Sequence, residues 1–287
     1  MDKIELKNIS YYYPLTTKKA LDNISFTFTK GKFYGIIGAN GSGKTTICSL
    51  LRGLIPNFYK GKLSGRILFD GQSLEDINID ELSITIGYVF QNPFTQISGI
   101  KKTVFEEVAL GLENLGIPPA QIINRVINIL ELLKITDLAQ KDPSALSGGQ
   151  RQKVAFASII VMEPDVLVID EPTSQLDPDG TAAIFSIINK LKQQGKTIIL
   201  VEHKINMIAE YSNEILIIDN GQLVKTGTAQ EILSDITIYQ HGIKPPEAAL
   251  LGHDLKKLDL PLERIPITTA DCCELIKKRW CINGNKI

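Results

Sequence analysis

Polar and apolar residues alternate over Lys3 to Ile9 and again over Ile24 to Phe28, which predicts two short strands. Between them lie three consecutive tyrosines, Tyr11 to Tyr13, and Pro14. After a turn at Gly31-Lys32, Phe33 to Ile37 is almost continuously apolar, as expected of a strand buried on both faces. A glycine-rich loop follows, then a helix from about Thr45 to Gly53, and Gly65 to Gly71 reads as a further strand and turn. In the middle of the chain Val104, Val108, Leu112 and Leu115 fall at helical spacing, as do Ile122, Val126, Ile129 and Leu133, with Pro118-Pro119 between the two stripes. Beyond Ser144 the apolar runs Val166 to Ile169 and Thr197 to Val201 predict parallel strands, with a helix over Ile184 to Leu191 between them. Ile215 to Ile218 and Gln222 to Lys225 flank Asn220-Gly221, a hairpin signature because that pair accepts positive φ. From about Lys244 prolines break short helical pieces, which reads as an appended small domain.

The chain has 287 residues, 44 % hydrophobic and 22 % charged, which excludes a disordered, collagenous or rod-like protein. Lys+Arg is 31 against Asp+Glu 32, giving a net charge of −1 and arguing against nucleic acid as a partner. The most apolar run, Val154 to Met162, is half the roughly 18 residues a membrane span needs, and the opening residues lack the apolar core of a signal peptide. Cys48, Cys272, Cys273 and Cys281 suit neither a disulfide framework nor a zinc set, and read as small semi-apolar residues in a reducing compartment.

Two motifs carry chemistry. Gly38 to Thr45, GANGSGKT, has the full GxxxxGK[ST] pattern after a predicted strand and before a predicted helix. A polyanion needs converging backbone N–H groups, which Gly41, Gly43 and their neighbours Asn40 and Ser42 can supply in a tight curl at a helix N-terminus. Lys44 would neutralise the β- and γ-phosphates of ATP and the Thr45 hydroxyl would ligate Mg²⁺, with Thr46 beside it. Val166 to Ile169 ends in Asp170-Glu171, and paired carboxylates at the end of a buried strand need a cation or water to serve. Asp170 would hold Mg²⁺, and Glu171 would act on the attacking water as base or hydrogen-bond acceptor.

Leu146-Ser147-Gly148-Gly149-Gln150, upstream of Asp170, resembles the signature motif of ABC-type ATPases, and the spacing of the three motifs fits that family over residues 1 to about 240. The resemblance implies an α/β P-loop NTPase with an antiparallel β subdomain, a helical subdomain over about residues 92–162, and a C-terminal extension over 241–287 that serves dimerisation. It implies a dimer, with ATP between the phosphate loop of one subunit and Ser147, Gly148, Gly149 and Gln150 of the other. Helix N-termini offer free N–H groups for that purpose, whereas a simple serine cap would explain Ser147 but not the glycine pair. By the same resemblance Tyr13 is the aromatic that stacks on adenine, with Tyr11 and Tyr12 as alternative registers. Gln91 reaches Mg²⁺ and the attacking water, Asp177 in Ser174-Gln175-Leu176-Asp177 communicates across the dimer, and His203 contacts the γ-phosphate.

Phe90 to Pro93 with Gln96-Ile97 resembles the ATPases of energy-coupling factor (ECF) vitamin and metal transporters. So does the tail, in Gly242 to Pro246, Leu258 to Leu262 and Ile267 to Asp271. Those ATPases often carry acidic residues after the Asn-Pro, where this chain has Phe94 and Thr95. The resemblance implies a peripheral ATPase on the cytoplasmic face of a membrane. Its partners would be a second ATPase subunit, identical or paralogous, an integral membrane coupling subunit and a membrane-embedded substrate-binding subunit. The alternatives are the ATPase of a binding-protein-dependent importer and a non-transport ABC-type ATPase. Too few residues separate Lys44 from Leu146 for the coiled coil of the repair type, and the single cassette disfavours the translation type. A plain phosphotransferase would leave the signature and His203 unexplained.

Overall fold

The computed structural model describes residues 1–174 and 176–281, the last by its backbone alone; Gln175, the Cys281 side chain and residues 282–287 lie outside it, and with them the expectations placed on those positions. Strands β1 (Lys3–Tyr12) and β2 (Leu21–Thr29) pair antiparallel, and β4 (Lys62–Phe69) and β5 (Gln72–Ser73) extend them into a sheet of order β2-β1-β4-β5. Within this stretch lie β3 (Phe33–Ile37), α1 (Lys44–Leu51) and the single turn α2 (Leu54–Asn57). Helix α3 (Ile79–Thr85) leads into β6 (Ile86–Val89), and α4 (Val104–Asn114), α5 (Pro119–Leu132) and α6 (Gly148–Ile160) follow. The second half alternates: β7 (Val166–Asp170), α7 (Pro178–Gln193), β8 (Thr197–Val201), α8 (Ile205–Tyr211), then the hairpin β9 (Glu214–Asp219) and β10 (Gln222–Thr228). Three helices end the described chain: α9 (Ala229–Leu233), α10 (Glu247–Lys257) and α11 (Thr269–Cys281).

The second sheet has the order β10-β9-β3-β8-β7-β6, parallel except for β10. Its central strands are apolar apart from Thr197 and Asp170 at their ends, because both faces are covered. Phe33 and Ile37 enter one core with Ile198 and Leu200. Their neighbours Tyr34 and Ile36 enter the other with Ile199 and Val201. The first core takes the helical stripes of α4 and α5; the second takes α1 and the antiparallel sheet. Asn220 and Gly221 both have positive φ (46° and 80°), as the hairpin between β9 and β10 requires. Strand β3 delivers the chain to residues 38–43 and β7 delivers Asp170, so the two chemical motifs emerge from one edge of a parallel sheet, separated by β8.

The tail differs from the expected appended domain. Ile238, Ile243 and Ile267 are buried in the first core with Ile232 and Leu233. Gln230 Nε2 donates to the Ile265 carbonyl (2.8 Å), His253 bonds the Ser234 carbonyl (2.8 Å), and Arg264 bridges Gln230 and Asp271.

Candidate functional site

The loop between β3 and α1 curls as its glycines allow. At Gly43 φ is +110°, and a Cβ there would lie 2.6 Å from the Ala20 carbonyl oxygen, so a larger residue would meet both strain and collision. Lys44 folds back over this loop: its Nζ donates to the carbonyls of Gly38 (3.0 Å) and Ala39 (2.9 Å). Burial pushes its ammonium below the ordinary lysine value, while Glu171 and Asp170 pull the other way. Ser42 Oγ is buried without a partner. Such an orphaned donor in a turn of free N–H groups suits an anion.

At the end of β7 Asp170 is 1 % exposed. Its Oδ2 accepts from Tyr88 (3.4 Å), while Oδ1 has no partner. Burial raises this carboxyl, opposed by Thr45, Lys44 and Tyr88. A buried carboxylate with one unpaired oxygen fits a divalent cation, and Mg²⁺ is typically bound through one or two carboxylates beside substrate phosphates. The next residue, Glu171, has φ +46° and turns its side chain out of the strand line. Gln91 Nε2 donates to its Oε2 (2.6 Å) and His203 Nε2 bonds its Oε1 (2.9 Å). The carboxylate partner assigns the imidazole proton to Nε2. Gln91 therefore rests on Glu171 here, and His203, half exposed, holds the other oxygen.

Tyr13, Asn40, Gly41, residues 43–46, Gln91, Glu171 and His203 surround one cleft of about 600 Å³. The structure separates the three tyrosines. Tyr11 is fully buried, its hydroxyl donating to the Tyr59 and Lys60 carbonyls, whereas Tyr13 lines the cleft with its hydroxyl 3.2 Å from Thr46 Oγ1. Thr16, Lys18 and Lys19 line it too and carry no sequence assignment. The signal available was a Thr-Thr-Lys-Lys run between Pro14 and the next strand.

The remaining expected residues stand elsewhere. Ser147 caps α6 and shares a capping box with Gln150, so Ser147 and Gln150 bond each other's backbone N–H at 3.2 and 3.3 Å. Gly148 and Gly149 open that helix. Asp177 caps α7 through Gly180 N–H (2.7 Å). Ser147, Gly149, Gln150 and Asp177 line a second hollow of about 430 Å³, which shares no lining residue with the first.

The family model for ABC transporters matches residues 21–174. The energy-coupling factor transporter ATP-binding protein EcfA of Enterococcus faecium is 41 % identical over 255 residues, 88 % of this chain and 85 % of that protein. Among solved structures, cbiO1 of Clostridium perfringens, part of the ABC transporter complex cbiONQ, is 32 % identical with a TM-score of 0.71, over 88 % of this chain and 99 % of that one. A dimeric ATP-binding cassette in a post-hydrolysis state, bound to ADP and Pi, is 27 % identical with a TM-score of 0.70, over 79 % and 98 %.

Proposed function

The chain belongs to the ABC transporter ATP-binding family, and from that premise we propose that it is the ATPase of an ECF-type importer for a vitamin or metal ion, working as a head-to-tail dimer beneath separate membrane subunits. It is an ATP-binding subunit of an ABC transporter, and its reaction is ATP hydrolysis. The observation that carries the dimer is the separation of the two clefts, each of which holds half of the expected site. The phosphate loop has cationic and N–H groups but no signature beside it. The signature helix has its first N–H groups free and no phosphate loop beside it. Head-to-tail pairing brings each half to the other twice over.

In this dimer the triphosphate lies along residues 40–46, with Lys44 leaving the Gly38 and Ala39 carbonyls for phosphate oxygens. Tyr13 stacks on the base, and Ser147, Gly148, Gly149 and Gln150 of the second subunit close on the γ-phosphate. Thr45, Asp170 and Gln91 would hold Mg²⁺, which neutralises charge developing on the β- and γ-oxygens. Glu171 orients the attacking water and accepts its proton. His203 holds the γ-phosphate, and Asp177 meets the partner's site across the seam. Hydrolysis breaks the bond between the β- and γ-phosphates, with ADP as leaving group, and departure of the phosphate held by the partner's signature lets the dimer reopen.

Among the described residues no helix is long and apolar enough to cross a membrane, so in this reading the chain sits peripherally on the cytoplasmic face. Likeness to EcfA and to cbiO1 supports the ECF branch. The exposed Phe94, three residues beyond Gln91, offers apolar surface to the membrane coupling subunit. Solute choice falls to the membrane-embedded binding subunit.

Three experiments test the proposal. Glu171→Gln should keep ATP binding, slow turnover by about 10³-fold and trap an ATP-bound dimer on size exclusion, an effect of the order seen when a catalytic group is lost; ordinary turnover would remove Glu171 from its role. Lys44→Ala should lose nucleotide affinity, and unchanged affinity would sink the phosphate-loop assignment. For the branch, detergent extraction should yield the chain with two kinds of integral membrane protein and transport that needs no soluble binding protein. Dependence on such a protein would assign it to the conventional importers instead.

A further inference from the structure

Arg151 is 7 % exposed and lies one turn into the signature helix, yet its guanidinium does not point toward the nucleotide cleft. It reaches back along the preceding loop. Nε donates to the Pro143 carbonyl (3.3 Å), and Nη2 donates to the carbonyls of Ser144 (2.8 Å) and Leu146 (3.0 Å). Those residues run directly into Ser147, so one cation gathers the loop that aims the signature N–H groups. The same guanidinium lies over the Phe94 ring, with Cζ 3.8 Å from its centroid. Phe94 is 58 % exposed, although a large apolar ring ordinarily gains from burial.

Phe94 is not loosely attached. Asn92 Oδ1 accepts from Phe94 N–H (3.0 Å) and the Asn92 carbonyl from Thr95 Oγ1 (2.7 Å). The Gln96 amide clasps the strand, accepting from Phe90 N–H (3.1 Å) and donating to the Tyr88 carbonyl (3.2 Å). Gln91 sits inside this bonded turn with its amide on Glu171. A continuous path therefore runs from His203 and Glu171, through Gln91 and Phe94, to Arg151 and the loop before Ser147.

We propose that Arg151 is a positioning residue that ties the turn after Gln91 to the signature loop, so that the state of a subunit's own cleft sets the fit of the signature it offers its partner. The inference rests on the head-to-tail dimer. A planar guanidinium is needed because it must serve three carbonyls in its plane and an aromatic ring on its face; a lysine ammonium keeps the charge but can do only part of this.

The test uses the full chain carrying Glu171→Gln, which holds ATP without turning it over. Adding Arg151→Lys should weaken ATP-driven dimerisation about tenfold, the effect of about 1.4 kcal/mol, as measured by analytical ultracentrifugation. ATP affinity of the dilute monomer should stay within twofold, while its melting temperature falls modestly because lysine leaves part of the buried carbonyl set without a donor. Phe94→Leu should weaken dimerisation in the same direction, Phe94→Trp should retain it, and Phe94→Leu with Arg151→Lys should be no worse than Arg151→Lys alone. If Phe94→Leu dimerises like its parent, if the two changes add independently, or if Arg151→Lys costs the monomer as much ATP affinity as the dimer, the tie is overturned. If the Glu171→Gln parent itself fails to dimerise with ATP, the dimer reading has failed and not the role of Arg151 alone.

Discussion

At the scale of single residues the site is a set of charges held in tension. Asp170 is the sharpest case, because burial raises its carboxyl above the ordinary aspartate value despite the nearby Thr45 hydroxyl, the bond from Tyr88 and the charge of Lys44. A carboxyl that holds its proton better in the fold favours folding at low pH. That advantage is lost as pH rises from the unfolded value through the raised one. At neutral pH the nucleotide-free fold therefore carries a charge it would rather not bury. Asp170→Asn should raise the melting temperature of nucleotide-free protein at neutral pH, and the gain should shrink as pH falls toward about 4, where an unfolded aspartate titrates. A gain independent of pH would show that packing, not charge, was relieved. Sequence identified Asp170, Glu171 and Lys44 because their chemistry is tied to spacing. It could not choose among the tyrosines, since all three fall where β1 ends and only the path of Tyr59-Lys60 beside Tyr11 buries one and leaves Tyr13 on the cleft. The role of Arg151 is not legible in the sequence, because an arginine just inside a helix has the pattern of a solvated charge and only the fold brings the loop carbonyls around it.

At the scale of elements, legibility followed burial. Strand β8 coincides with its predicted run because both faces are covered, which makes Ile198 to Val201 apolar after a buried Thr197. Helix α3, strand β6 and helix α8 gave no such signal. They are short, and β6 reads Ile-Gly-Tyr-Val, its glycine admitting Ile159 and Pro164 where a Cβ would collide. The capping boxes separate architecture from function. Thr103 and Ser147 each cap a helix with a glutamate or glutamine three residues on, by the same geometry. Losing either hydroxyl should cost about 1 kcal/mol. Thr103→Ala, at a residue that lines neither cleft, should shift the urea midpoint and leave ATP-driven dimerisation unchanged. Ser147→Ala should shift it comparably and also weaken ATP-driven dimerisation. Equal dimerisation in the two variants would mean that Ser147 is a cap alone.

For the molecule as a whole the question is whether the tail is a passenger. The proline-broken texture beyond Lys244 suggested a separate unit, and α10 and α11 do bury Ala248, Leu262, Cys272 and Leu275 outside the two main cores. Ile243 and Ile267, however, are packed into the first core, and Gln230 and Ser234 bond residues 35 and 19 positions further along the chain. Periodicity does not carry this information, since two isoleucines in irregular segments look the same whether they serve a local core or a distant one. The sequence supplies its own probe, because the chain has a single tryptophan, Trp280, on α11. Its fluorescence reports the tail while far-ultraviolet circular dichroism reports the whole fold. If the shared core couples them, both signals should move at the same urea concentration, and Ile267→Ala should shift both together by about 2 kcal/mol, the lower end for a buried isoleucine truncation. A tail that owes its order to α10 and α11 alone would release Trp280 earlier, and Ile267→Ala would widen the gap between the two transitions.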